Sequence, residues 1–224
     1  MNLIKRRVLF EEVAEIVARM IYSSQLEPGQ WIDEMQLCDE LGISRTPLRE
    51  ALKVLASDGL VELVPRKGSY VKKISIEELD ELFPIVALLE GYCAQLTAEN
   101  VTDEELVRLR HIHANLEKHA ANENIVLYYE ENIIFHDALK SISNNSQLER
   151  LTLDLSRVIR LARQKQLKLG SRLQHSLQEH RDILSAIADK DGARANLAMS
   201  QHIHNQYLAL KSKLKESAAN EMDQ

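Results

Sequence analysis

The sequence contains 224 residues, of which 45% are hydrophobic and 4% aromatic, with 7 glycines and 4 prolines. This composition favours helical domains and excludes long disordered tracts. There is no apolar run long enough to span a membrane, no apolar signal-peptide segment and only 2 cysteines, so we expect a cytoplasmic protein with no membrane partner and no disulfide framework. The net charge of −6 arises in residues 76–224, whereas residues 1–75 are neutral overall with basic clusters at 45–53 and 66–73. A locally basic first third is compatible with a nucleic-acid partner.

The first 41 residues predict two helices that each bury one face. Apolar residues recur with helical spacing from Val13 to Ile21, and a second, short helix is predicted over residues 33–41. A turn at residues 27–30 separates them, and Gly42 suits a left-handed turn after the second helix. Basic residues 5–7 precede the first helix, and two interpretations stay open for them: a solvated tail or phosphate contacts.

The stretch from Gly42 to Leu52 is typical of the turn and second helix of a helix-turn-helix. Ser44 is placed to cap this helix by accepting a bond from its first free N–H groups, and Pro47 is tolerated in the first turn. At about 100° per residue the apolar side chains share one face. Arginine can donate two hydrogen bonds to guanine in the major groove, so the adjacent cationic face predicts base contacts. The alternative is a surface helix whose arginines are merely solvated. The side chains on that adjacent face are Arg45, Thr46, Arg49 and Lys53.

Two β-prone stretches follow, residues 60–64 and 68–71, joined by the sequence Pro65-Arg66-Lys67-Gly68. We interpret them as a two-stranded wing, and three helices followed by such a hairpin make a winged helix. A wing tip with Lys67 and Gly68 can approach phosphates or the minor groove closely, because glycine has no side chain to obstruct the approach.

From residue 76 onward the chain shows helical patterns and no convincing strand. Capping boxes at Ser75–Glu78 and Thr102–Glu105 predict two helix starts. We therefore predict a mostly α protein: a winged helix-turn-helix domain over 1–74, an all-α antiparallel helical bundle over 75–218 and a disordered tail over 219–224. The breaks between about six helices of the bundle are predicted near residues 100–102, 121–124, 143–146, 168–171 and 190–192.

Three histidines of the predicted bundle occupy positions where apolar residues are expected. Asn132 and His136 lie one turn apart on one helix, while His180 and His202 lie in or beside the apolar stripes of later helices. A buried polar group without a partner costs about 2–7 kcal/mol, so each histidine needs a hydrogen bond or a metal ion. Spacing alone leaves both explanations open: hydrogen-bonded core histidines, or a site for zinc, nickel or a similar divalent metal. A further polar stretch that we expect to be exposed contains His111, His113 and His119.

The motif from Leu41 to Leu52, followed by residues 58–61 and 65–68, resembles the DNA-binding head of the GntR family of bacterial transcription regulators. The resemblance covers residues 10–73 and implies a winged helix-turn-helix that binds double-stranded DNA. Some members carry a further DNA-contacting arginine in the second helix, where this chain has Met35. The resemblance assigns base reading to Arg45 and Arg49, backbone contact to Ser44 and Thr46, and groove contact to Gly68.

The later motifs, among them Asn132–His136 and residues 199–202, resemble the FCD effector domain of the FadR-like GntR subgroup. Many FCD domains bind a divalent metal through one Asp and three His. An Asn in place of the Asp brings an oxygen ligand without charge. The subgroup's Arg-x-x-Leu-Glu motif appears here as Val86–Glu90, with Val in place of Arg. The metal ligands of the subgroup correspond in this chain to Asn132, His136, His180 and His202.

The resemblance implies a homodimeric transcription regulator, usually a repressor released by a small effector, that binds a palindromic operator. A metal held by neutral ligands keeps its charge, so we expect an anionic effector such as a small carboxylate. Arg157, Arg160 and Arg163 lie on a neighbouring helix, and two interpretations stay open for them: one pairs with that carboxylate, with Arg157 and Arg160 as the candidates, or all are solvated. Two alternatives stay open: a metal-dependent enzyme acting on a small metabolite, although no clear general base adjoins the ligands, and a redox sensor using Cys38 or Cys93.

Overall fold

Nine helices and two strands make up the part of the chain that the computed structural model describes. It covers residues 9–23, 25–166 and 171–222, without the side chains of residues 157, 158, 160–166 and 216–222. The chain divides into two compact units, Met1–Ile74 and Ser75–Gln224. In chain order the elements are α1 (Leu9–Tyr22), α2 (Glu34–Leu41), α3 (Arg45–Ser57), β1 (Val61–Val64), β2 (Gly68–Val71), α4 (Ile76–Asn100), α5 (Asp103–Ala121), α6 (Ile125–Ile142), α7 (Ser146–Gln166), α8 (Arg172–Ala188) and α9 (Gly192–Met222).

The first unit is built on the packing of α1 against α3. Both helices bury one apolar stripe, which includes Val17 on α1 and Leu48 and Leu52 on α3. Gly42 ends α2 in the left-handed conformation, with a φ of 64°, as its sequence predicts. The predicted helix-turn-helix is confirmed.

The wing is an antiparallel hairpin of β1 and β2, in register from Val61 opposite Val71 to Val64 opposite Gly68. The Lys67 N–H donates to the Val64 carbonyl at 3.0 Å. Arg66 has a φ of 64°, and a left-handed residue directly after Pro65 makes this a type II turn. The predicted winged helix is therefore confirmed.

An extended segment at residues 29–32 also joins the wing sheet, which the sequence did not predict. The Ile32 N–H donates to the Ser69 carbonyl and the Val71 N–H donates to the Gln30 carbonyl, both at 2.9 Å. Trp31 also forms a bridge with Tyr70. The segment is too short to show the alternating pattern from which a strand is recognised, so only its turn was predicted.

The second unit is a bundle of six helices, α4–α9, within the described residues. Both predicted capping boxes are present with their reciprocal bonds. The predicted breaks coincide with the observed helix ends to within about two residues. Helix α9 continues to Met222, so residues 219–222 are helical and not part of the disordered tail predicted over 219–224. The end of the chain is rich in helix-forming residues and contains no Gly or Pro that would stop the helix.

His113 is buried, with 6% of its surface exposed, whereas the sequence predicts an exposed position. It lies on α5 one turn after the buried Leu109, so helical spacing places it on the inward face. Its ring packs edge-on against Phe135, with ring centroids 6.4 Å apart. The prediction of an exposed His113 was wrong because its neighbours in sequence are polar.

Helices α4 and α9 approach each other closely at Gly91. A Cβ added at Gly91 would overlap with the Ser200 Oγ and would lie 3.2 Å from the Asn196 carbonyl oxygen. The Ser200 hydroxyl donates to the Ala87 carbonyl at 3.1 Å, so its position is also constrained. Only glycine allows this separation of the two helices.

We expect Gly91→Ala to lower the free energy of unfolding by about 1–3 kcal/mol, because overpacking forces side chains and backbone apart. Urea unfolding followed by circular dichroism measures this change. Gly192→Ala is the matched control, since an added Cβ there meets only the side chains of Gln95 and Glu99. Equal stability of the Gly91→Ala variant and the wild type would contradict the close packing of α4 and α9.

Candidate nucleic-acid interface and candidate metal centre

The first turn of α3 presents its polar side chains to solvent. Ser44, Arg45 and Thr46 are exposed, while Leu48 on the opposite face is fully buried. Ser44 has the backbone conformation of an N-cap, but its side chain makes no capping hydrogen bond. Pro47 stands at the third helical position and has no N–H to donate, which removes one of the two usual donors to a capping side chain. The predicted N-cap position is thus confirmed, whereas the predicted side-chain bond is not made.

Arg49 is oriented by a carboxylate of α2. Its Nε donates to the Glu34 Oε2 at 2.9 Å, and 60% of its side chain is exposed. The hydrogen bond to Glu34 and the charge of Glu34 raise the pKa of Arg49 above its already high value, so the guanidinium stays charged. Glu34 Oε1 also accepts a hydrogen bond from the Ser69 hydroxyl of β2 at 3.4 Å. One carboxylate therefore connects α2, the recognition helix α3 and the wing.

The tip of the wing is exposed at Lys67 and Gly68. Gly68 has a φ of 104°, and a Cβ added there would lie 2.9 Å from the indole Nε1 of Trp31. Glycine is therefore required at this position for two independent reasons, its backbone conformation and its contact with Trp31.

Three histidines from three helices meet in the core of the second unit. His136 of α6, His180 of α8 and His202 of α9 are all buried. Their ring centroids lie 5.5 Å apart for His136 and His180, 5.3 Å for His136 and His202, and 4.5 Å for His180 and His202. One ring nitrogen from each lies within 4.8 Å of the other two. This is the only such group of potential metal ligands found among the described residues.

Each of these imidazoles is held through its Nδ1 atom. The Nδ1 of His136 lies 2.6 Å from Glu90 Oε2, and that of His202 lies 2.6 Å from Glu179 Oε2. The Nδ1 of His180 lies 2.7 Å from the carbonyl oxygen of Ser176. Because these partners are acceptors, each Nδ1 carries the proton and each Nε2 is unprotonated, with an electron pair that can accept a hydrogen bond or bind a metal. The Nε2 atoms of His136 and His180 are 3.4 Å apart, so the electron pairs converge.

Asn132 lies one turn before His136 on the same helix and is buried. Its Oδ1 has no hydrogen-bond partner among the described residues. Three converging imidazole nitrogens and an unbonded amide oxygen one turn from His136 are neutral donors of the kind that divalent metals bind, so these residues fit such an ion. The structure thus brings together the three histidines that the sequence singled out, and it buries Asn132 one helical turn from His136.

Burial keeps His180 and His202 neutral near pH 7. Burial and the neighbouring histidines lower the pKa of His180 well below its ordinary value of 6.5. Burial also lowers the pKa of His202 to about 4, although its hydrogen bond to Glu179 acts in the opposite direction. Neutral imidazole is the form that binds metals.

Glu179 is the charged centre of a network behind His202. Burial alone would raise the pKa of Glu179, but hydrogen bonds from His202 and Arg172 outweigh it and lower the pKa to about 2. Arg172 donates two hydrogen bonds to this carboxylate, at 2.9 and 2.6 Å, and Asn205 Nδ2 donates a third at 2.8 Å. A cleft of about 380 Å³ adjoins this network. Its lining residues are Arg172, His175, Gln178, Glu179, Asn205 and Leu208.

Two residues of this site were missed by the sequence reasoning. They are Glu90 and Glu179, each of which holds a ring of the cluster. A glutamate at an inward position of α4 was the available signal for Glu90. Val86, which replaces the Arg of the subgroup motif, is an apolar core residue. The side chains of Arg157 and Arg160, predicted to contact an effector, lie outside the described residues.

The fold and the two sites define a DNA-binding protein with a winged-helix head and a helical body that carries a buried histidine cluster. The family model for bacterial regulatory proteins of the gntR family matches residues 9–71, and that for the FCD domain matches residues 81–205. The chain belongs to the GntR family and carries an FCD domain. The described residues contain no helix that is both long and apolar enough to cross a membrane.

Relatives of known name agree with this assignment. The HTH-type transcriptional regulator YdhC of Bacillus subtilis is 29% identical over 90% of this chain and 91% of its own. The Nta operon transcriptional regulator of Aminobacter aminovorans is 30% identical over 84% and 88%, and the HTH-type transcriptional repressor RspR of Escherichia coli is 29% identical over 86% and 85%. The solved structure of E. coli McbR/YncC has the same fold, with a TM-score of 0.82 at 21% identity over 93% of this chain and 100% of its own. The protein is therefore a DNA-binding transcriptional regulator and not an enzyme.

We expect the metal-free protein to lose stability as the pH falls from 7 towards 4. The pKa of His202 is about 4 in the folded chain and its ordinary value is 6.5, so between these values the unfolded chain binds more protons. The stabilisation present above pH 6.5 is consequently lost as the pH falls. Urea unfolding midpoints at pH 7.5, 6 and 5 in the presence of a chelator measure the decline.

His180→Gln should make this decline shallower, whereas His111→Gln, on the exposed face of α5, should leave it unchanged. A decline with the same slope in both variants would contradict the burial of neutral histidines.

Proposed function

We propose that this regulator is a homodimeric repressor, acting in the cytoplasm, whose binding to a palindromic operator is modulated by a small carboxylate bound at a metal in the FCD domain. The observation that carries the proposal is the convergence of three buried imidazole nitrogens, together with the unbonded oxygen of the buried Asn132 one helical turn from His136. E. coli RspR, which is 29% identical, is named a transcriptional repressor, and this supports repression here.

Contacts to the operator would come from the exposed face of α3 and from the wing. Arg45 and Arg49 would read base edges, because guanidinium groups can donate two parallel bonds to guanine. The bond from Arg49 Nε to Glu34 fixes the side chain while both terminal nitrogens stay available to a base. Backbone contacts would come from Ser44 and Thr46, and groove contacts from Lys67 and Gly68.

A homodimer would present two heads to the two halves of a palindrome. Support comes from an apolar stripe on α4, where Ile85, Leu88 and Tyr92 recur with helical spacing and are 48%, 69% and 43% exposed. Leu197, 70% exposed, adds to the apolar surface of α9, which packs against α4. Exposed apolar side chains grouped in this way are typical of protein interfaces. We propose this surface as the contact between two copies of the chain.

In the FCD domain, Asn132, His136, His180 and His202 would hold a divalent ion. All four donors are neutral, and the carboxylates of Glu90 and Glu179 lie behind the imidazoles and not at their converging Nε2 atoms. Imidazole ligands suit zinc, nickel and similar metals. When bound, the ion supplies positive charge and open coordination positions, which favour an anionic oxygen ligand such as a carboxylate. Arg157 and Arg160 are the proposed arginine partners of the effector's carboxylate.

Effector binding in the FCD domain would be coupled to the DNA-binding head through α4, the helix that follows the head in the chain. This helix carries Glu90, the partner of His136, and begins at Ile76, two residues after the first unit ends at Ile74. An effector that shifts the ring of His136 therefore acts on the helix that leads directly into the head. It can change operator affinity only if it binds the two arrangements of the dimer with different affinity.

We expect Arg49→Ala to weaken binding to the operator by about 1–3 kcal/mol, because one guanidinium that reads a base is lost. Fluorescence anisotropy with operator DNA and with random duplex separates this loss from a general loss of charge. Arg181→Ala removes an equally charged, exposed arginine of the FCD domain and serves as the control. An Arg49→Ala variant that still discriminates operator from random duplex as well as the wild type would contradict base reading by Arg49.

We expect the purified wild-type protein to contain a divalent metal, as measured by elemental analysis. The His180→Ala variant should contain less of it, because one ligand is lost. Asn132→Asp should bind the metal more tightly in a competition titration, because a carboxylate adds charge to a neutral ligand set. The control is His175→Ala, which changes an exposed histidine on α8, the helix that carries His180. This variant should keep its metal. Equal or weaker affinity of Asn132→Asp would count against Asn132 as a ligand.

A further inference from the structure

We infer that Gln206 supplies a second amide oxygen to the metal centre, so that the ion has five neutral protein ligands. The inference rests on the proposed metal centre and adds to it a residue outside the set of one Asx and three His. It follows from the unbonded side-chain oxygen of Gln206, which lies on α9 one turn beyond His202.

Gln206 is buried, with 3% of its surface exposed. Its Nε2 lies 2.6 Å from the Nε2 of His202, the ring nitrogen opposite the one that is bonded to Glu179. Its Oε1 has no hydrogen-bond partner among the described residues. Buried side-chain atoms without partners number three in the described part of the chain, and two of them, the oxygens of Asn132 and Gln206, belong to residues one turn from a histidine of the cluster.

The present hydrogen bond leaves the amide only half satisfied. His202 donates its Nδ1 proton to Glu179, so its Nε2 is an acceptor and takes a bond from the Gln206 amide nitrogen. The cost is an unbonded amide oxygen in the core, of order 1–3 kcal/mol. Rotating the amide by half a turn would bring Oε1 towards His202 Nε2 instead, and two acceptors facing each other repel.

A cation between these two acceptors removes the conflict. The amide nitrogen of Gln206 lies 2.6 Å from the Nε2 of His202. Rotating the amide therefore brings Oε1 to the same side of that ring, where the ion would bind both acceptors. The same ion would satisfy the orphaned oxygen of Asn132. One bound metal would thus account for both unbonded amide oxygens.

This ligand set has a consequence for selectivity. Three imidazoles and two amide oxygens carry no charge, so the centre is a weaker competitor for hard ions than one with an Asp ligand. Five protein ligands leave an ion that takes six ligands with a single open position. An effector would then bind through one oxygen and not displace a protein ligand.

The test is a Co²⁺ titration of the full chain, followed by visible absorption and by competition with a chelator. Gln206→Leu should bind Co²⁺ about 10-fold or more weakly. Its absorption should also become more intense, since the bands of Co²⁺ strengthen as the number of ligands falls. Gln206→Glu should bind more tightly than the wild type and keep the wild-type band intensity. Gln201→Leu, an exposed glutamine on the same helix, is the control and should match the wild type.

The direction of the change in Co²⁺ affinity shows whether Gln206 is a metal ligand or only a hydrogen-bond partner of His202. If Gln206 only hydrogen-bonds to His202, it competes with the metal, and Gln206→Leu will bind Co²⁺ as tightly as the wild type or more tightly, which overturns the inference. If Gln206→Leu does not fold, the Co²⁺ affinity of Gln206→Glu is the test. Tighter binding than in the wild type supports the inference, and equal or weaker binding overturns it. A wild-type chain that binds no Co²⁺ would overturn the metal centre as well. Loss of Co²⁺ in His180→Ala together with unchanged binding in Gln206→Leu would overturn only the role of Gln206.

Discussion

The three buried hydrogen bonds to the Nδ1 atoms of His136, His180 and His202 are the constraint on which the FCD domain of this protein depends. Without an acceptor behind it, each ring could turn by half a rotation and present either nitrogen to its neighbours. Glu90, Glu179 and the carbonyl of Ser176 remove that freedom and direct all three Nε2 atoms inward. The carboxylates are themselves held, Glu90 by the Ser156 hydroxyl and Glu179 by Arg172 and Asn205. The centre therefore depends on contacts from α4, α6, α7, α8 and α9, and a ligand bound there acts on most of the bundle at once.

The winged-helix head relies on a comparable carboxylate. Glu34 accepts hydrogen bonds from Arg49 on the recognition helix and from Ser69 on the wing. An arginine that is oriented before DNA arrives loses less conformational freedom on binding than a free one. The contact of Gly68 with Trp31 fixes the wing tip in the same way, through a residue of the added segment 29–32. Both contacts join segments distant in sequence.

Local patterns in the sequence account for what could be predicted. The stripe of Leu48 and Leu52, the cap position of Ser44 and the capping boxes all depend on neighbours within one or two turns. Spacing of about 100° per residue was enough to place His136 and His180 on inward faces. Glu90 could not be matched to His136, nor Glu179 to His202, because those pairs depend on how helices cross and not on spacing within one helix. Residues 29–32 and Gln206 were missed for the same reason, since their partners lie on other segments or are revealed only by an unbonded atom.

X-ray absorption spectroscopy of the Zn²⁺- or Ni²⁺-loaded full chain would decide whether the three histidines bind a metal, because it reports the atoms around the ion. We expect a single class of bound ion with three imidazole rings and additional oxygen ligands, at about 2.0–2.2 Å. An ion surrounded by water and carboxylate oxygens, with fewer than three imidazoles, would contradict it.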